Sequence, residues 1–268
     1  MITTDELCIG YDEKLIVNHL NMTIKQGKIT ALVGANGSGK STILKGMARL
    51  LKPKSGHVYL NGKAIFEQKT SEVAKQLAIL PQNPTAPEGL TVAELVAYGR
   101  FPHQRGMGSL SKKDKEMIAW AVDMTGMRKY ANRAVDHLSG GQRQKAWIAM
   151  AFAQDTEVMF LDEPTTFLDM AHQIEVLQLL EKLNKEEKRT IVMVVHDLNH
   201  ASRYAEEIVA IKNGQIIHAG PPSKVIRPDI LEKVFEVKCD IIQDTRTGKP
   251  ICIPYGLHKE PSLIETVI

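Results

Sequence analysis

The most constraining feature of the chain is a glycine-rich segment that ends in lysine and serine. Residues 34–41 read Gly-Ala-Asn-Gly-Ser-Gly-Lys-Ser, follow the apolar run Ile29–Val33 and precede a helical pattern that begins at Thr42. This order predicts a polyphosphate-binding loop, because glycines let the backbone wrap an anion and the helix N-terminus supplies partial positive charge. Lys40 can reach the outer phosphates, and the Ser41 hydroxyl can bind Mg²⁺. The flanking strand and helix argue against the alternative, an incidental glycine turn.

Composition narrows the class of protein. The chain has 268 residues, 43% of them hydrophobic and 24% charged, which is typical of one large globular domain. The net charge of +3 is too small to predict nucleic-acid binding but suits an anionic nucleotide or an acidic membrane face. No apolar run approaches the roughly 20 residues of a membrane helix, and the acidic N-terminus does not resemble a signal peptide. Cys8, Cys239 and Cys252 are expected to be reduced and buried.

Short apolar runs alternate with helical patterns along most of the chain. Residues 77–80, 158–161 and 190–195 predict strands, and residues 170–185 and 198–204 predict helices, so a parallel sheet covered by helices is expected. The first 65 residues predict short strands with turns, and residues 208–218 a hairpin. Residues 88–150 are helical and predict an inserted subdomain. The last dozen residues, after Gly256, predict a loosely attached tail.

Two acidic residues follow the apolar run at residues 158–161. Because successive side chains of a strand point to opposite faces, the carboxylates of Asp162 and Glu163 are expected to do different work. Asp162 suits the coordination shell of Mg²⁺, and Glu163 suits polarisation of an attacking water. A strand that ends in solvated acids is common, so this interpretation depends on the phosphate-binding loop.

Three other segments place polar groups where ligands collect in α/β sheets. Leu-Ser-Gly-Gly-Gln at residues 138–142 precedes a helix and offers a second anion-binding helix start, although Ser and Gly are also ordinary caps. His196 follows a buried strand and can bond a terminal phosphate. The amide of Gln82, after Pro81, can bind both a metal and a water. A packing histidine and a surface glutamine are the alternatives.

In this order, these five elements resemble the ATP-binding cassette (ABC) family over about residues 5–225. The Leu-Ser-Gly-Gly-Gln signature, between the phosphate loop and the acidic strand, is specific to that family. The resemblance implies an α/β fold, a P-loop NTPase core of RecA-like type with an antiparallel β subdomain and an inserted helical subdomain. It implies an ATPase domain over residues 1–225, with the helical subdomain at about 88–150, and a C-terminal extension over residues 226–268.

The family motifs carry over to individual residues. Tyr11 resembles the aromatic residue that stacks on adenine, with an ordinary strand tyrosine as the alternative. The resemblance implies four catalytic residues: the base Glu163, the switch residues His196 and Gln82, and Asp169, which links two sites. The residues expected to contact ATP are Tyr11, Gly34, Ala35, Asn36, Gly37, Ser38, Gly39, Lys40, Ser41, Thr42, Ser139, Gly140, Gly141 and Gln142. The residues expected at Mg²⁺ are Ser41, Gln82 and Asp162.

A single phosphate loop and a single signature have a consequence for assembly. In the family, the signature of one cassette completes the ATP site of another, so the resemblance implies a head-to-tail homodimer with two equivalent sites. ATP is expected to close the pair, and hydrolysis to release it. Thr-Phe-Leu-Asp at residues 166–169 keeps Asp169 but replaces the commoner small residues before it, which predicts altered packing at the dimer seam.

Three further segments resemble the ATPases of iron–siderophore importers, at residues 98–103, 164–173 and 244–250. This implies a subunit at the cytoplasmic face of the cell membrane, with integral-membrane permeases and an extracytoplasmic siderophore-binding protein as partners and no nucleic acid. Haem and cobalamin importers are alternatives, because the cassette never touches the cargo. A non-transport ABC ATPase usually carries two cassettes or a long coiled-coil insertion, and neither is in this sequence. A permease helix is expected beside Gln82, in a groove lined by Phe101 and Pro102.

Overall fold

Alternating strands and helices make up most of the chain. The computed structural model describes residues 1–104 and 109–258. The strands are β1 (Ile2–Tyr11), β2 (Lys14–Ile24), β3 (Ile29–Val33), β4 (Ser55–Leu60), β5 (Lys63–Ala64), β6 (Leu77–Leu80), β7 (Val158–Asp162), β8 (Thr190–Val194), β9 (Glu207–Lys212), β10 (Gln215–Gly220), β11 (Val237–Gln243) and β12 (Pro250–Leu257). The helices are α1 (Lys40–Met47), α2 (Thr70–Ala74), α3 (Val92–Tyr98), α4 (Lys112–Met124), α5 (Gly140–Ala153), α6 (Met170–Glu187), α7 (Leu198–Tyr204), α8 (Pro222–Val225) and α9 (Pro228–Phe235).

Six strands form the central sheet, in the order β10-β9-β3-β8-β7-β6. The strands from β9 to β6 pair in parallel, and β10 joins the edge as an antiparallel hairpin with β9. Every residue of β3, β7 and β8 is buried, as expected for a parallel sheet covered on both faces. Leu80 lies opposite Leu161, and Asp162 opposite Val194, so the segments after β6, β7 and β8 emerge side by side.

A second sheet, in the order β2-β1-β4-β5, is entirely antiparallel. β1 and β2 contain ten and eleven residues, longer than the short strands that the sequence predicted. Register shifts interrupt β1, and Glu6, which lies in the shift between Thr4 and Leu7, has a φ of 46°. Such bulges let a long strand bend. The apolar face of this sheet shares one core with Ile43 and Leu44 of α1 and with Phe160 of the central sheet.

Helices α3, α4 and α5 pack against one another between β6 and β7 and form the expected helical subdomain. Each begins with a capping box, in which the cap hydroxyl and a side chain three residues later satisfy each other's backbone N–H groups. The cap residues are Thr91, Ser111 and Ser139. The fold is therefore the α/β cassette with two subdomains that the sequence predicted.

A buried ion pair holds the helical subdomain together. Arg100, 2% exposed, donates from Nε to Oδ1 of Asp114 at 2.8 Å and from Nη1 to the Ala153 carbonyl at 2.7 Å. A hydrogen bond from the Ser111 hydroxyl and the contact with Arg100 outweigh burial and lower the pKa of Asp114 from 3.8 to about 2. Because the folded-state pKa is depressed, this stabilisation is present above pH 3.8 and is lost as the pH falls toward 2.

We expect Arg100→Leu to lower the free energy of unfolding by about 3–5 kcal/mol, because it leaves a buried carboxylate without its cation. Chemical denaturation measures the loss. Lys185→Leu is the matched control, since it removes the exposed pair of Lys185 with Glu181, worth about 0–1 kcal/mol. Equal losses in the two variants would contradict the importance of burial.

The region after residue 225 is structured up to its last described residue, His258. Ile230 and Leu231 of α9 are buried in the larger core, and β11 and β12 form a separate two-stranded sheet against α7. The boundary near residue 225 stays a prediction. The loosely attached tail was predicted to begin after Gly256. Its first residue, Leu257, is the last residue of β12, and residues 259–268 lie outside the described residues. No helix in the described ranges is long and apolar enough to cross a membrane.

Candidate nucleotide-binding and catalytic site

The glycine-rich loop connects β3 to α1 at the carboxyl edge of the central sheet. Gly34 has a φ of 156°, and a Cβ atom there would lie 2.2 Å from the Ile211 carbonyl oxygen, so only glycine fits. The ammonium group of Lys40 donates to the carbonyls of Gly34 and Ala35, both at 2.9 Å. Burial lowers the pKa of Lys40, and the nearby carboxylates of Glu163 and Asp162 oppose that shift. The loop thus presents one cation beside backbone N–H groups, as phosphate binding requires.

A cavity of about 570 Å³ lies over this loop. Its lining combines residues from three parts of the fold: the β1–β2 sheet, the loop with α1, and the carboxyl ends of the central strands. They are Tyr11, Ile16, Asn36, Gly37, Gly39, Lys40, Ser41, Thr42, Gln82, Glu163, Thr166 and His196. Ten of the twelve belong to the residues predicted from the sequence. Ile16 and Thr166 were missed, because neither an isolated strand isoleucine nor a turn threonine carries a motif.

Glu163 lies at the centre of the polar groups in this cavity. It follows β7 directly, and its φ of 54° turns the chain out of the strand. Its carboxylate accepts hydrogen bonds from Gln82 Nε2 at 2.5 Å and Thr166 Oγ1 at 3.0 Å, and it lies 2.7 Å from His196 Nε2. Segments after three neighbouring strands therefore converge on one carboxylate, which is 11% exposed. A carboxylate fixed in this way can accept a proton from a water held beside it.

Asp162 has a different environment from Glu163, as predicted. Asp162 is the last residue of β7, whereas Glu163 has a left-handed backbone conformation. This change in backbone conformation, as well as strand alternation, therefore separates the two carboxylates. Asp162 is 2% exposed and accepts a hydrogen bond from the Ser41 hydroxyl at 2.7 Å. Burial raises the pKa of Asp162, while the bond from Ser41 and the charge of Lys45 oppose the shift.

The pair formed by Ser41 and Asp162 fits Mg²⁺. Hydroxyl and carboxylate oxygens are hard ligands, and Mg²⁺ usually takes one or two protein oxygens together with phosphates and water. Within residues 1–104 and 109–258, no cluster of three or more His, Cys, Asp or Glu side chains could hold a metal. Ser41 and Asp162 could thus supply two oxygen ligands, and the other ligands of Mg²⁺ would come from a nucleotide and water. The side chain of Gln82, also predicted at the metal, donates to the Glu163 carboxylate in this structure, and its place at Mg²⁺ stays a prediction.

The signature segment does not line the cavity. Ser139 caps α5 and is exposed, and Gly140, Gly141 and Gln142 form the first turn of the helix. The imidazole of His172 packs on Gly141, where a Cβ atom would lie 2.3 Å from its Cδ2. The same ring bonds Asp169 Oδ2 through Nδ1 at 2.7 Å. His172, which the sequence did not single out as a site residue, thus joins the signature to Asp169 within one chain.

The family model described as ABC transporter matches residues 17–166, more than half of the chain. The chain belongs to the ABC transporter family. This ABC protein is 55% identical to the iron(3+)-hydroxamate import ATP-binding protein FhuC of Bacillus subtilis (strain 168), over 99% of each chain. It is 52% identical to the petrobactin import ATP-binding protein FpuD of Bacillus anthracis, over 95% of this chain and 93% of the relative.

A solved structure supports the same assignment. The dimeric bacterial ABC transporter cassette MJ0796 superposes with a TM-score of 0.73 and 30% identity, covering 82% of this chain and 98% of the cassette. The same cassette has also been solved as a dimer in a post-hydrolysis state with ADP and Pi. The ABC protein described here is accordingly an ATP-binding, ATP-hydrolysing cassette.

Proposed function

We propose that this ABC ATPase powers the import of iron–siderophore complexes through a membrane permease. The observation that carries the proposal is the convergence of Gln82, Thr166 and His196 on Glu163 beside the phosphate loop, which provides a base for hydrolysis. The class of cargo follows from the two relatives, which are named for the import of iron(3+)-hydroxamate and of petrobactin.

Each residue of the site has a role in this proposal. The loop N–H groups and Lys40 hold the phosphates, and Tyr11 stacks on the adenine. Ser41 and Asp162 hold Mg²⁺, which when bound neutralises phosphate charge. Glu163 accepts a proton from the attacking water, while Gln82 and His196 orient that water and the terminal phosphate. Because Mg²⁺ binding requires an ionised carboxylate, Mg²⁺ affinity should fall on the acid side as Asp162 is protonated.

A second copy of the chain completes the site. The cavity over the phosphate loop is lined by the candidate base but by no signature residue, and Ser139 is exposed at the start of α5. A head-to-tail dimer places the signature of each protomer over the phosphate loop of the other. Phe167, 88% exposed with a φ of 64°, and Met170, 74% exposed, flank Asp169 on the surface that this dimer would cover.

The helical subdomain offers a surface for the permease. An apolar groove of about 460 Å³ lies between α3 and α4 and is lined by Ala97, Ile118 and Val122, among others. Neither Gln82 nor Phe101 is in this lining, so the groove predicted beside Gln82 stays a prediction; Phe101 is 61% exposed and packs on Tyr98 with ring centroids 5.3 Å apart. We propose that a short permease helix occupies the groove and that Phe101 contacts its flank. Ala97 of α3 lines the groove, and the next residue, Tyr98, is 41% exposed and contacts Phe101.

Phe101→Ala is expected to reduce transport at least about tenfold while basal ATP hydrolysis stays within about twofold of wild type, because Phe101 does not line the cavity over the phosphate loop. Uptake in cells and ATPase activity of the purified chain measure the two quantities. Ile242→Ala, on an exposed apolar position of β11, is the matched control and should change neither. Equal loss of transport and hydrolysis in Phe101→Ala would refute the placement of the permease.

Uptake of radioactive iron tests the proposed function. Cells that lack the gene receive wild type or Glu163→Gln and are offered hydroxamate and other siderophores, haem and cobalamin. Loss of uptake of one or more iron chelates, restored only by wild type, is expected. If wild type restores only the uptake of haem or cobalamin, the cargo is that compound and not an iron–siderophore complex. If cells that lack the gene take up every compound at the normal rate, the proposed import function is wrong for those cells.

A further inference from the structure

The hairpin of β11 and β12 is bound along the length of helix α7. The buried face of the hairpin carries Cys239 and Cys252, which are 5% and 4% exposed and belong to the larger core. Burial, together with the neighbouring Cys239, raises the pKa of the Cys252 thiol to about 12. The Cys252 thiol therefore stays neutral at physiological pH, which suits its burial in the core.

Each turn of α7 is hydrogen-bonded to the hairpin. The side-chain amide of Asn199 pairs with the backbone of Cys252 in both directions, Nδ2 donating to its carbonyl at 3.1 Å and Oδ1 accepting from its N–H at 2.8 Å. Ser202 Oγ donates to the Pro250 carbonyl at 2.6 Å. Lys249 Nζ then donates to two carbonyls at the end of the helix. Two strands outside the central sheet thus fix the position of this helix.

His196 lies immediately before the N-cap of helix α7. The helix has only seven residues, so its stability must come from packing and capping and not from its own length. Its N-cap, Asp197, accepts from the N–H groups of Asn199 and His200 at 2.7 and 2.8 Å. Upstream, Val195 N–H donates to the Leu32 carbonyl at 3.2 Å. His196 therefore occupies a one-residue link between the central sheet and the cap.

We propose that Asn199 is a positioning residue for ATP hydrolysis: by fixing α7 to the C-terminal hairpin, it holds the His196 imidazole 2.7 Å from Glu163. This inference rests on the proposed role of His196 in the ATP site. The phosphate loop and Tyr11 belong to other elements, so loosening α7 should affect hydrolysis more than ATP binding. The C-terminal hairpin thereby acquires a role in catalysis without contacting the nucleotide.

Kinetics and NMR of the full chain test the proposal. Asn199→Ala is expected to lower kcat about tenfold and leave the KM for ATP within about twofold, because misplacement of a catalytic group chiefly affects the chemical step. It should also shift the Cε1–H resonance of His196, which is identified among the nine histidines by its loss in His196→Ala. His200→Ala, on the same turn of α7 but bonded to the cap only through its backbone, should leave kcat, KM and that resonance unchanged.

The outcomes separate this inference from the proposed function. If His196→Ala and Glu163→Gln lose hydrolysis but Asn199→Ala keeps the wild-type kcat and His196 resonance, the positioning role is wrong. If His196→Ala hydrolyses ATP at the wild-type rate, the proposed catalytic role of His196 is wrong, and the positioning role of Asn199 is wrong with it. If Asn199→Ala does not fold, Ser202→Ala replaces it, because this substitution removes only the hydrogen bond to the Pro250 carbonyl. Ser202→Ala should lower kcat and shift the His196 resonance by smaller amounts. An unchanged kcat and resonance in Ser202→Ala would overturn the inference.

Discussion

Glu163→Gln is expected to lower kcat for ATP hydrolysis by about 10²–10³-fold while ATP binding is retained, because the amide cannot accept the proton of the attacking water. The substitution is nearly isosteric. The glutamine carbonyl can still accept from Gln82 or from Thr166, whose donors lie 2.5 and 3.0 Å from the native carboxylate. ATP-bound dimers should therefore accumulate, since binding closes the pair and hydrolysis no longer opens it.

Steady-state hydrolysis, binding of a fluorescent ATP analogue and size-exclusion chromatography with ATP measure the three quantities. Glu175→Gln is the matched control, because Glu175 is a half-exposed carboxylate paired with Lys145 on α5 and does not line the cavity. It should hydrolyse ATP at the wild-type rate. An unchanged rate in Glu163→Gln would show that another group is the base.

The convergence on Glu163 was predictable because parallel strands bring their carboxyl ends to one edge of the sheet. Gln82, Glu163 and His196 each follow an apolar run in the sequence, so their proximity follows from the topology alone. The hydrogen bond from Gln82 to the Glu163 carboxylate was not predictable, because a flexible amide can reach more than one neighbouring group.

The contacts that the sequence did not reveal depend on packing between distant segments. His172 meets Gly141 from a helix 31 positions further along, and Asn199 meets Cys252 across 53 positions. No local pattern marks such pairs. The ten and eleven residues of β1 and β2 exceed the short strands predicted, because bulges such as the one at Glu6 let a strand bend without ending it.

Mixed dimers of two inactive variants should recover about half of the wild-type hydrolysis rate. Lys40→Ala removes the cation of the phosphate loop, and Ser139→Arg places bulk at the exposed helix start of the signature. Each variant alone has two defective sites. In a head-to-tail mixed dimer, one site carries both lesions, and the other combines an intact phosphate loop with an intact signature. Co-expression with two affinity tags and purification through both isolates this species for the ATPase measurement.

The matched control pairs Lys40→Ala with Glu163→Gln. Both lesions lie on the phosphate-loop side of the site, since Lys40 and Glu163 line the same cavity of one chain. Each site of that mixed dimer therefore contains one lesion, and no activity should return. Recovery in the first mixture but not in the second can arise only if the signature acts on the nucleotide of the other protomer. Recovery in neither mixture would mean that the signature serves its own chain or that one intact site cannot turn over alone, and either result would contradict the expected recovery of half of the wild-type rate.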